Sequence, residues 1–136
     1  MTPALKDYIN AWLLKADHDI ISAQRLLEIE PMILDSACFH CQQAVEKSMK
    51  AYLCYKGRDI VKTHDVDFLL DECSQFDPIF GTIDTLNLNE YAVKMRYPDD
   101  GIMPEVAEAN GFYKLAIHIN NLVKERIVFP RLFQLC

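Results

Sequence analysis

His40, Gln43, Lys47 and Lys50 recur at steps of three and four, the spacing that brings side chains to one face of a helix. An imidazole, a carboxamide and two ammonium groups aligned in this way can converge their donors on a ligand lying along the helix. Lys56, Arg58 and Lys62 continue the positive charge beyond it, with only Glu46 and Asp59 as nearby acids. Together they form the best phosphate patch in the chain. Lysine meets phosphate as a mobile point charge and arginine as a two-bond fork, each contact contributing about 1.5–3 kcal/mol. The competing reading is a solvated face on which Lys and Glu pairs support the helix.

Other residues offer their own chemistry. His64 can hold phosphate or shuttle a proton, because an unperturbed imidazole titrates near neutrality; in Thr63-His64-Asp65 it can equally pack over the second helix while Thr63 or Asp65 caps the next one. Arg96 and Tyr97 pair a fixed cation with a ring able to stack on a base, or close the bundle with Arg96 on Asp99, Asp100 or Glu90. Cys38 and Cys41 form a CxxC, but no second CxxC or HxxxH pair completes a zinc site. His18 and His118 lack partners at metal-ligand spacing, and Asp65, Asp67, Asp71 and Glu72 read as a solvated helix face. Nothing calls for a metal or another cofactor.

The elements that must position these groups are helical. Trp12, Ala16, Ile20, Ala23 and Leu27 mark a long first helix over about 4–29, closed by Glu30-Pro31. A second helix, capped by Asp35 or Ser36, runs to about Tyr55 with Ala37, Cys41, Ala44, Val45, Ser48, Met49 and Tyr52 on its core side, and Gly57 stops it. A short basic connection, 58–64, leads to a shorter helix around Phe68, Leu69 and Cys73 that ends before Asp77-Pro78. Phe80, Ile83, Leu86 and Leu88 fit a broken or short helix. The 96–101 segment is a turn, and a last helix over about 105–128 buries Ala109, Phe112, Ala116, Ile119 and Val123, with Gly111 marking a close helix contact. The tail 129–136 is apolar and should pack on the bundle or on a second subunit.

Composition narrows the classes. The 136 residues suit one domain, 1–136, and 51% hydrophobic against 25% charged residues with four glycines argues against long disordered tracts. A net charge of −6 disfavours general attraction to a nucleic-acid backbone, so any anion site must be local. There is no basic-then-apolar leader and no uninterrupted apolar run of about 18 residues. Five cysteines, an odd number scattered through helical segments, read as reduced thiols. A cytoplasmic protein without membrane contact is expected.

The chain resembles the HEPN family, the higher eukaryote and prokaryote nucleotide-binding domain. The resemblance rests on Trp12, Ala16, Ala23 and Leu27, on Phe39-His40-Cys41-Gln42-Gln43-Ala44-Val45-Glu46-Lys47 with Lys50-Ala51, on Thr63-His64, and on Arg96-Tyr97-Pro98. It implies an all-α, up-and-down antiparallel bundle of four to five helices, commonly a homodimer and often encoded beside a small nucleotidyltransferase-like partner in toxin–antitoxin-like pairs. A nucleotide- or RNA-binding accessory is the expected function, with His40, Gln43, Lys47, Lys50, Arg96 and Tyr97 as its nucleotide and phosphate ligands, single-stranded RNA included. Many relatives are metal-independent ribonucleases with an Arg followed after four to six residues by His. Here Gly101, Ile102 and Met103 stand at those offsets from Arg96, which removes the proton-transfer group from its expected position. An atypical ribonuclease would have to use Arg58 and His64. The third alternative is a purely structural interaction module.

Overall fold

Thr2 opens the first helix, its hydroxyl accepting the Leu5 amide at 3.1 Å while Pro3 occupies the first turn, where its missing N–H costs nothing. In the computed structural model, which describes residues 1–59, 62–94, 97–98 and 103–129, α1 spans Pro3–Glu28 and α2 spans Leu34–Tyr55. After them come α3 (Val66–Ser74), a short 3-10 helix (Pro78–Thr82), α4 (Leu88–Lys94) and α5 (Val106–Arg126). The molecule is an all-helical bundle, with no strand among the described residues.

Local chemistry explains most boundaries. Gly57, at φ +80°, ends α2: its amide reaches the Cys54 carbonyl at 3.0 Å and the next amide, of Arg58, reaches Leu53 at 2.9 Å, the double closure that a left-handed residue permits. At the other end of α2, neither Asp35 nor Ser36 is the cap. Ile33 holds that position, its carbonyl accepting the Ala37 amide, and Asp35 lies inside the first turn with its carboxylate on the Ser36 amide. A negative charge there still complements the helix's positive end. Asp65 caps α3 by accepting the Phe68 amide at 3.0 Å.

α2 is the central helix and packs against α1, α3, α4 and α5. Cys41, Ala44, Val45, Met49 and Tyr52 meet Ala23 of α1, Leu69 and Cys73 of α3, and Phe112, Ala116, Ile119 and Val123 of α5. Fully burying a Leu, Phe or Met contributes about 1.5–3 kcal/mol each, so this contiguous core holds the polar residues of α2 in register. Ser48 and Asn120 add a buried hydrogen bond of 3.1 Å between α2 and α5.

The 78–94 region departs from the expected stripe. Phe80 and Leu88 are buried and Ile83 is partly so, but Leu86 is exposed, because Leu86 and Asn87 both adopt φ +57°. Such backbone costs about 1–2 kcal/mol in a non-glycine residue, and Asp84 supports it by accepting the Leu86 amide at 2.9 Å. Gly111 faces Leu86 across a loop and does not mark a helix contact; a Cβ there would sit an ordinary 3.7 Å from Leu86 Cδ1. The Tyr91 hydroxyl donates to Glu108, tying α4 to α5, holding the carboxyl below its usual range and raising the phenol. Phe129 lies edge-on to Tyr55 at 6.4 Å, with Lys6 over its ring; the rest of the tail, 130–136, lies outside the described residues. No described helix is long and apolar enough to cross a membrane.

Candidate functional site

Two stripes of α2 carry the polar chemistry, and they face different neighbours. His40 and Lys47 lie toward α1. Asp19 of α1, itself buried, accepts His40 Nδ1 on one carboxylate oxygen at 2.8 Å and Lys47 Nζ on the other at 2.7 Å. Gln43 turns sideways and donates to Gln42 Oε1 at 2.7 Å.

Gln42, Glu46 and Lys50 form the second stripe at steps of four, all three buried. Glu46 Oε2 takes Lys50 Nζ at 3.1 Å, and Lys50 also stands 5.5 Å from the centre of the Trp12 ring. Glu46 Oε1 takes His64 Nδ1 at 2.9 Å, and Gln42 Nε2 donates both to Glu46 Oε1 at 3.3 Å and to the His64 carbonyl at 3.1 Å. α2 therefore grips residue 64 by backbone and side chain together. An ionised carboxylate can only accept, so Nδ1 of His64 carries a hydrogen, and the neutral tautomer that this bond selects has its lone pair on Nε2.

His64 stands at the edge of a cleft of about 380 Å³ lined also by Gln42, Asp65, Asn89, Ala92 and Val93. Its side chain is 74% exposed, against 30% for His40 and 7% for Lys50. The sequence-expected set is thus divided: His40 and Lys47 meet on Asp19, Lys50 belongs to the Glu46 assembly, and Gln43 bridges toward Gln42. Tyr97 is 59% exposed beyond α4, and Arg96 lies outside the described residues, as do Asp99 and Asp100. Arg58 does not turn to His64. It binds Glu72 at 2.6 Å and Gln75 at 3.4 Å, and lies over the Phe76 ring.

Glu46, Gln42 and Asn89 belong to this site although their helical spacing alone does not single them out. The signal for the first two was present as Gln42, Glu46 and Lys50 at i, i+4 and i+8, with the acid N-terminal to the base. The cysteines of α2 and α3 are buried. Burial pushes the thiols of Cys38, Cys41 and Cys73 up to about 12, Cys38 and Cys41 are unbridged, and no group of metal-holding side chains occurs among the described residues.

The sequence matches the HEPN domain over residues 9–126. The chain belongs to the HEPN domain family. Its fold agrees with two solved structures. One is TT1696 from Thermus thermophilus, 25% identical with a TM-score of 0.68; the other is ST0689, an archaeal HEPN homologue, 23% identical with a TM-score of 0.63. Each comparison covers 88% of this chain and 98% of the other. A comparison with curated proteins finds no match. Within this HEPN protein, the matched range contains both α2 stripes, His64 and the cleft.

Proposed function

We propose that this HEPN protein is a nucleotide- or RNA-binding accessory, working in the cytoplasm as a homodimer beside a nucleotidyltransferase-like protein, and that it meets its ligand at the His64 cleft. The observation that carries this reading is an exposed imidazole anchored by a buried carboxylate at the mouth of a 380 Å³ cleft. Small-ligand sites are concave, with apolar walls and a few well-placed polar groups. The other expected ligands, His40, Gln43, Lys47, Arg96 and Tyr97, stay within the proposal as contacts to the rest of a longer ligand, while Lys50, buried on Glu46, serves by holding that carboxylate behind the cleft. Lys47 is the more accessible of the two lysines, with its side chain 21% exposed.

Thermal unfolding with ATP, GTP and short RNA, on the parent chain and on His64→Gln and Lys47→Ala, tests it. Ligand at 100 times its Kd adds about 2.7 kcal/mol, a shift of several degrees for a domain of this size. A shift lost in His64→Gln and kept in Lys47→Ala supports the cleft; the reverse moves the site to the α1–α2 seam. No shift at saturation leaves the partner-binding role alone.

One observation favours a second reading, a metal-independent ribonuclease. An imidazole with Nδ1 held on a carboxylate has the arrangement of a proton-transfer group. RNA cleavage by the purified chain that disappears in a folded His64→Ala variant would establish that activity. Cleavage that persists would identify a contaminant.

A further inference from the structure

Most polar atoms of the His64 cleft are already committed. Gln42 donates to Glu46 and to the His64 carbonyl and accepts from Gln43. Asn89 Oδ1 accepts the Val66 amide at 2.8 Å, and its Nδ2 donates to Asp65 at 2.7 Å and Asp67 at 3.2 Å. What the lining keeps for a ligand is His64 Nε2 and the second oxygen of Asp65, whose Oδ1 already serves the Phe68 amide and Asn89. Beside them lies the apolar flank of Ala92 and Val93, the latter 60% exposed.

This set does not suit phosphate. Among the described residues no lysine or arginine lines the cleft. Lys50 offsets Glu46 behind the wall, but Asp65 and Asp67 share only the neutral Asn89 amide, with Thr85 donating to Asp67. A carboxylate oxygen and the Nε2 of a neutral imidazole are both acceptors. Their complement is a flat ring that bears N–H donors and can lie against an apolar wall.

Resting on the nucleotide-binding reading above, we infer that the cleft seats the amino-bearing edge of a nucleobase: adenine, guanine or cytosine. The exocyclic amine donates to Asp65 and His64, the ring lies against Val93, and the sugar and phosphate stay outside. Lys62, exposed two residues before His64, is the nearest cation in sequence to meet them there.

Calorimetric titration of the full chain with nucleosides and their 5′-monophosphates tests the assignment, using Asp65→Asn as the variant. Asparagine caps a helix as well as aspartate does, so α3 is preserved while the charge and the free acceptor oxygen are removed. Guanosine and cytidine should bind about tenfold tighter than inosine and uridine, the equivalent of one lost hydrogen bond to a charged acceptor. Monophosphates should bind within about threefold of their nucleosides, which is under 1 kcal/mol. Asp65→Asn should weaken the amino-bearing ligands about tenfold while its unfolding midpoint stays unchanged. Binding of monophosphates with silent nucleosides, or binding undiminished in Asp65→Asn, would overturn the base-edge assignment and leave the nucleotide reading standing. Silence from every nucleoside and nucleotide would overturn both.

Discussion

The Asp19 and Glu46 assemblies are built from the same parts and differ in which part reaches solvent. In each, one buried carboxylate holds an imidazole Nδ1 on one oxygen and a lysine on the other. At Asp19 the imidazole and the ammonium are both mostly sheltered between α1 and α2, so the cluster acts as a clasp joining two helices. At Glu46 the lysine is buried over Trp12, while the imidazole stands in the open beside a cleft. The Glu46–Lys50 pair is electrically self-contained, so His64 is held in place without being needed to neutralise a buried charge. The same three functional groups can thus serve as a structural joint or present an exposed ring, depending on which member the fold buries.

The comparison breaks most visibly on the carboxylates. Glu46→Ala leaves the Lys50 ammonium buried without its partner and should cost about 3–5 kcal/mol in urea unfolding. Asp19→Ala should cost less, about 2 kcal/mol, because Lys47 and His40 have more access to water and can rehydrate. Equal losses in the two variants would mean that the assemblies are energetically equivalent. Lys47→Ala should follow at about 1 kcal/mol, the loss of one partly screened ion pair. His64→Gln should change stability by no more than about 0.5 kcal/mol, as expected of an exposed position. A loss from His64→Gln as large as that from Asp19→Ala would make His64 a structural clasp and not a presented ring.

The long helices were legible because each carries an uninterrupted apolar stripe and recognisable ends. Ala109 to Val123 are buried as their spacing predicts, and Gly57 closes α2 where a left-handed residue is needed. The 78–94 stretch was not legible, since Leu86 and Asn87 at positive φ break any helical period and the apolar residues around them face different ways. At the site, spacing placed Ala37, Cys41, Ala44, Val45, Ser48, Met49 and Tyr52 in the core, where they are, but it read Lys50 as part of an open face and could not say what each polar residue would meet. His40 finds its carboxylate 21 residues away, Lys47 28 away and His64 18 away. No local pattern encodes those pairings, because they arise from how α1 and the connection to α3 are laid against α2. Lys50 shows the consequence: one helical step from the Lys47 stripe, it belongs to a different carboxylate and is closed to solvent.

The most direct measurement is two-dimensional NMR of the chain with isotopically labelled histidine during titration with guanosine monophosphate. Ligand binding at the cleft requires that the His64 ring resonances move saturably while those of His40 stay in place. Movement of His40 with His64 unperturbed, or of neither ring at saturating ligand, would contradict it.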